Sequence, residues 1–225
     1  MPRFYQKIAF LTISCLVLLP SFGQSWCQQS PFHHWLQTIA PHTQHSVDDW
    51  CHIFATQSCN PTILSLAKHP YEHRSWPTYK RHFMTPSRLH AGHQYLKKHR
   101  MIFKKAEDTY HVPAGIIAAI LGVETNYGHN MGQFSTSSAL LTLGFCQEKR
   151  ARFFRQELAA LMQLSDQDHL DISKIHSSYA GALGIPQFMP SNYHTLGIRA
   201  TAQYPLDLFH HHDDAILSIA HFLAM

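Results

Sequence analysis

Ten consecutive residues, Ala114 to Val123, carry no charged or hydrogen-bonding side chain, and the run ends at Glu124. Val112-Pro113 sets a helix start immediately before it, since proline suits the first turn. A helix that is apolar on almost every side belongs in the middle of a domain. The rest of the chain must wrap it, and the composition allows that: hydrophobic residues make up 45% and charged residues 14% of the 225 positions. Disordered chains have the opposite balance.

The flanking segments also read as helices. Val47 to Gln57 and Thr62 to Lys68 are short candidates, with Asn60-Pro61 as a helix start. Thr85 fits an N-cap and Pro86 a first helical position. From Leu89 the apolar residues Tyr95, Leu96, Ile102, Phe103, Ala106 and Tyr110 recur at helical spacing, which predicts one helix running to about His111. Leu140 to Leu143, Phe153 to Leu164 and Ala215 to Ala224 continue the pattern, the last capped by Asp213 or Asp214. Gly181 to Pro190 is a loop punctuated by glycine and proline. His69-Pro70 and Trp76-Pro77 mark a connecting loop. Residues 24–46, polar and rich in Gln and His, read as a loosely held arm. No alternating strand pattern of any length appears. The expected fold is mainly α-helical, with little or no β.

The net charge of +4 is too small for a dedicated nucleic-acid binder. Twenty histidines would make the protein strongly cationic in mild acid. The runs His33-His34 and His210-His211-His212 have no acidic or Cys partner at ligand spacing and read as solvated polar stretches rather than metal sites.

Residues 1–23 read as a secretory signal. Arg3 and Lys7 precede the apolar run Ile8 to Leu19, Pro20 breaks it, and Ser21-Phe22-Gly23 offers small residues for cleavage. No stable membrane anchor is predicted. Export leaves Cys27, Cys51, Cys59 and Cys146, which allow three pairings; Cys51 and Cys59 are close enough in sequence for a short loop to bridge them.

Two segments carry chemistry. Glu124 closes the apolar helix, where the helix dipole disfavours an anion and Ile120 and Leu121 would desolvate it. Both effects are expected to favour the protonated form, as a general acid for glycosidic cleavage requires. The second is Ser177-Ser178-Tyr179-Ala180-Gly181-Ala182-Leu183-Gly184-Ile185-Pro186-Gln187-Phe188-Met189-Pro190. Its small residues let a ligand approach. Gln187 offers an acceptor and a donor for sugar hydroxyls, and Ser178 a hydroxyl.

"WPTYKRHFMTP", "VPAGIIAAILGVETNYG", "ALLTLGF", "FFRQELAAL", "SSYAGALGIPQFMPSNY" and "DDAILSIAHFL", from about Trp76 to Leu223, together resemble the lytic murein transglycosylases of the MltB type, in the lysozyme-like superfamily. The resemblance implies a lysozyme-like helical domain over residues 76–225 with a substrate groove, preceded by an arm and short helices over 24–75. It implies that Glu124 is the catalytic acid and base. Ser178 and Gln187 match glycan-contacting positions. Arg150 matches one of a basic pair near the groove, with Lys149 in place of the other. Tyr127 stands where the family often has Trp, with a ring able to stack on a sugar.

The implied reaction cleaves the MurNAc–GlcNAc bond of peptidoglycan in the periplasm. The substrate's N-acetyl group assists in place of a second carboxylate, and a 1,6-anhydro end results without a metal or organic cofactor. The chain departs from the family pattern in two places. His194 to Pro205 lacks the acidic residues of an EF-hand-like loop, so calcium binding there is not expected. The sequence also stops at Met225, where the family continues, so a C-terminally truncated groove is expected. The alternatives are a non-catalytic peptidoglycan-binding remnant and a muramidase-type hydrolase.

Overall fold

The computed structural model describes residues 26–69 and 75–225; the leader read over 1–23 lies outside them. Eleven α-helices are found among the described residues: α1 Ser30–Ile39, α2 Val47–Phe54, α3 Pro61–Lys68, α4 Trp76–Phe83, α5 Pro86–Lys98, α6 Arg100–Tyr110, α7 Ala114–Thr125, α8 Thr136–Phe145, α9 Ala151–Gln167, α10 Tyr193–Leu196 and α11 His212–Ala224. β1 Phe134–Ser135 and β2 His176–Ser177 form a two-stranded antiparallel ladder, with Phe134 opposite Ser177. The fold is mainly α, as expected.

Local chemistry accounts for the helix starts. Ser46 and Asp49 form a reciprocal capping box on α2. Asn60 accepts from the amides of Thr62 and Ile63 ahead of Pro61, and Thr85 accepts from Arg88 ahead of Pro86.

The segment read as a loose arm is packed instead. Trp26, Phe32 and Leu36 are buried with Trp50 and Phe54. Phe32 lies 5.2 Å edge-on from Phe145 of α8 and 6.0 Å from Phe54. The aromatic residues, diluted among Gln and His in sequence, gather on one side of α1 and dock on α8. The connection read at Trp76-Pro77 is the helix α4, with proline in its first turn. The single helix expected from Leu89 to His111 is two, broken at His99 (φ −103°, ψ 23°), whose Nδ1 lies 3.0 Å from Asp213 of α11. That break lets α6 lie along α11 and α7.

The disulfides are Cys27–Cys51 and Cys59–Cys146, so Cys51 and Cys59 do not bridge each other. The second ties the α2–α3 connection to the end of α8. Beside it, Gln57 Nε2 donates to Ser137 (2.8 Å) and Asn60 N to Thr142 Oγ1 (3.0 Å). On the other side of the core, buried Glu157 of α9 accepts from the Ser191 amide and hydroxyl, holding down the end of the 177–190 loop.

Candidate active site

The helix α7 is not buried on every side. Ile117, Ala118, Leu121, Gly122 and Thr125 face the core, whereas Ile116 and Val123 are exposed, as is Glu124. Leu121 turns inward and leaves the carboxyl on an open face. Glu124 is thus less shielded than its sequence neighbours suggest: Leu121 turns into the core, and Ile120, one turn back on nearly the same face, is itself only partly buried.

The turn after Glu124 is held firmly. Asn126, Tyr127 and Gly128 have φ of 50°, 61° and 87°. Left-handed backbone at a tyrosine costs about 1–2 kcal/mol, so the surroundings must enforce it. The Asn126 and Tyr127 amides reach back to Gly122 and Leu121 and close the helix end. Thr125, buried, donates its hydroxyl to the Ile185 carbonyl (2.9 Å) and accepts from the Gly128 amide (2.9 Å). Its main-chain carbonyl takes the Asn130 amide at 2.8 Å. This threonine bolts the Glu124 turn to the glycine-punctuated loop. The residue stands in the quoted motif, yet composition and periodicity assign it no role.

Gln187, at φ 54°, donates from Nε2 to the carbonyls of Gly184 (2.9 Å) and Met131 (3.2 Å). Both amide protons are thus committed, and what it can offer a sugar is its carbonyl oxygen. Ser178 Oγ accepts from the Ala182 amide at 3.1 Å, which leaves the hydroxyl proton to donate elsewhere. A hollow of about 430 Å³ lies against Ser178, with His129, Asn130, Gln133 and Tyr179 among its lining and no aspartate or glutamate. The Glu124 turn and the loop bearing Ser178 and Gln187 thus share one hydrogen-bonded framework through Thr125, although neither Glu124 nor Gln187 lines the hollow.

Two predicted contacts do not join it. Tyr127 is only 9% exposed. Its hydroxyl is wedged against Gly92 of α5 and Gly122 of α7, and its ring lies 5.0 Å from Tyr95. It packs between helices and presents no face to a sugar; burial also pushes its phenol pKa up. Arg150 stands at the N-cap of α9 without a side-chain capping bond, and its guanidinium lies 4.3 Å over the Phe153 ring. An exposed aromatic ring does lie nearby in Phe222 of α11, packed 6.1 Å from Phe188, the residue after Gln187. The helical period placed it on the last helix, but only docking of α11 puts it next to the loop.

The histidine run also differs from the solvated stretch expected. His210 pairs with Asp207 (2.9 Å), His211 packs on Tyr204, and His212 shares a 3.0 Å hydrogen bond with Tyr95. Among the described residues Cys27, His33 and Cys51 come close enough to hold a metal ion, but the two sulfurs are bonded to each other.

Gly132 is a further constraint. At φ +100° it passes so close to Ser177 that a Cβ would run into the Ser177 carbonyl. Gly132→Ala is expected to cost at least about 2 kcal/mol, from left-handed strain plus separation of β1 from β2. Urea unfolding at unchanged m would read it as a lower midpoint; a loss of under about 0.5 kcal/mol would contradict the close approach.

Comparison with known proteins identifies the family and the fold. The chain is 32% identical over 148 residues to membrane-bound lytic murein transglycosylase B of Escherichia coli, covering 66% of this chain and 41% of that protein. Its fold superposes on soluble lytic transglycosylase SltB1 from Pseudomonas aeruginosa with a TM-score of 0.78 at 31% identity, over 85% of this chain and 65% of that one. SltB3 from Pseudomonas aeruginosa, solved with NAG-NAM-pentapeptide, gives 0.77 at 25% identity, over 90% and 53%. The chain thus spans less than two thirds of the length of each of these relatives. Among the described residues no helix is long and apolar enough to cross a membrane. The model of the transglycosylase SLT domain matches residues 29–225, from the packed N-terminal helices through the Glu124 turn to α11, and the chain belongs to that family.

Proposed function

We propose that this protein is a peptidoglycan lytic transglycosylase, cleaving the β-1,4 bond between MurNAc and GlcNAc and leaving a 1,6-anhydro-MurNAc end. The observation that carries the reading is Glu124: a carboxyl on an open face at the end of a core helix, on a turn bolted by Thr125 to the loop that bears Ser178 and Gln187. The solved relative holding NAG-NAM-pentapeptide supports a peptide-bearing glycan as the ligand.

In the proposed reaction Glu124 donates a proton to the glycosidic oxygen as the bond breaks. The N-acetyl group of the same sugar stabilises the developing positive charge at the anomeric carbon, a task for which glycosidases otherwise use a second carboxylate. Glu124, now an anion, takes the proton of the MurNAc 6-hydroxyl as that oxygen closes on the anomeric carbon. Ser178 donates and Gln187 accepts hydrogen bonds that orient the sugar, and Phe222 offers a ring to stack on it. Arg150 is kept as a more distant glycan contact. None of these steps calls for a metal or organic cofactor.

A periplasmic site of action fits the substrate and the leader read over residues 1–23. Two disulfides support an oxidising compartment.

The exposure of Glu124 also favours a second reading, a muramidase-type hydrolase in which water intercepts the intermediate. Mass spectrometry of digested sacculi separates the two. Anhydro ends are expected; reducing ends would establish the hydrolase, and the absence of new ends would leave a non-catalytic glycan binder.

A further inference from the structure

His212, the first residue of α11, lies beneath the Glu124 turn. Its imidazole packs against Gly128, where a Cβ would come within 3.0 Å of its Cε1. Its Nδ1 and the Tyr95 hydroxyl share a 3.0 Å hydrogen bond, and Tyr95 in turn lies against Tyr127. The ring of His99 is 5.3 Å away. A continuous cluster of rings, His99–His212–Tyr95–Tyr127, in tilted and edge-on contact, thus backs the three left-handed residues that follow the candidate catalytic acid. We propose that His212 is a positioning residue: its neutral imidazole, wedged under Gly128 and bonded to Tyr95, holds the Glu124 turn in place, and protonation releases that turn. The functional consequence rests on the transglycosylase reading above; the structural switch does not.

The surroundings oppose a charge on this ring. It is half-buried, and His99 and Lys98 from the α5–α6 junction and His129 from the turn are positive or can become so. Tyr95 and Tyr127 present neutral phenols, both held above their ordinary pKa by burial. Asp213 alone favours protonation, and it already pairs with His99 at 3.0 Å. The His212 pKa is accordingly held below its ordinary 6.5, by burial first and by His99 and Lys98 next. Because the folded state prefers the neutral ring, its contribution is fully present above about pH 6.5. It is lost as pH falls below that value, where the unfolded chain binds the proton more readily.

Hydrogen exchange at the amides of Tyr127, Gly128 and Asn130 reads the turn directly, and the imidazole signal of His212 reads its protonation. In the parent protein, exchange corrected for its intrinsic pH dependence is expected to be roughly tenfold faster at about pH 5 than at about pH 8. The midpoint should coincide with the titration of His212. His212→Asn, which keeps a polar atom near the Nδ1 position but does not titrate, should show protection within about twofold of the parent at about pH 8 and no such loss in acid. Should that variant not fold, His99→Gln serves: removing the neighbouring imidazole, which opposes a charge on His212, is expected to move the transition to higher pH.

On sacculi, the acid-side fall in kcat, with KM little changed, should disappear in His212→Asn. A pH-independent turn, or a transition that ignores both the His212 titration and the substitutions, would overturn the proposal. Absence of cleavage at every pH with the turn transition intact would instead remove the transglycosylase reading and leave the switch standing.

Discussion

Glu124→Gln is expected to lower the release of anhydro-muropeptides by about 10²–10⁴-fold while glycan binding stays close to that of the parent. Gln keeps the size of the side chain and its capacity to hydrogen bond, but has no proton to give to the glycosidic oxygen and no anion to receive one from the 6-hydroxyl. Both halves of the proposed reaction pass through this one group, so its loss is not shared with a partner acid. The residue is exposed, the fold depends on its buried neighbours Leu121 and Thr125, and Gln retains hydrogen-bonding capacity, so the substitution should cost no more than about 1 kcal/mol of stability. Binding to insoluble sacculi and product release, measured on the same preparation, give the answer. Cleavage within a factor of two of the parent would remove Glu124 from the chemistry. A parallel loss of binding would move it to the recognition of substrate.

The largest expected change in stability comes from the link between Cys59 and Cys146. These residues are 87 positions apart, and closing so long a loop restricts the unfolded chain by about 4–5 kcal/mol. The Cys27–Cys51 loop, with a separation of 24, is worth about 3–4 kcal/mol on the same basis. Typical domains have only 5–15 kcal/mol in total. Replacing Cys59 and Cys146 together by Ser should therefore lower Tm by roughly 10–20 °C. The aromatic contacts of Phe32 and Phe54 and the hydrogen bonds of Gln57 and Asn60 would then be left to hold the N-terminal helices on α8. A drop below about 3 °C would show that those contacts already confine the segment. A non-reduced peptide map should recover the peptide containing Cys59 joined to that containing Cys146; recovery joined to Cys51 would contradict the pairing.

Local sequence determined much of the helical content and supplied the candidate site residues. The apolar run from Ala114 to Val123 located the core helix, Asn60-Pro61 and Thr85-Pro86 marked two helix starts, and the Glu124 and Ser178–Gln187 motifs supplied the proposed chemistry. These signals are short-range: a cap, a period of 3.6 or a glycine at a turn acts within a few residues. Tertiary packing alone decided the rest. Tyr127 went to the core because Gly92, 35 positions earlier, leaves room for its hydroxyl. The Gln-rich N-terminal segment became structure because Phe145, more than 100 positions on, receives Trp26 and Phe32, and Cys51 bonds Cys27. Glu124 stayed open because the core lies along only one side of α7. His212, one of three adjacent histidines of identical local appearance, alone reached the site, because the start of α11 meets Tyr95 and Gly128 there. Which face of a helix is covered, and which of several like residues is buried, depends on partners brought together across the chain, and no local pattern encodes that choice.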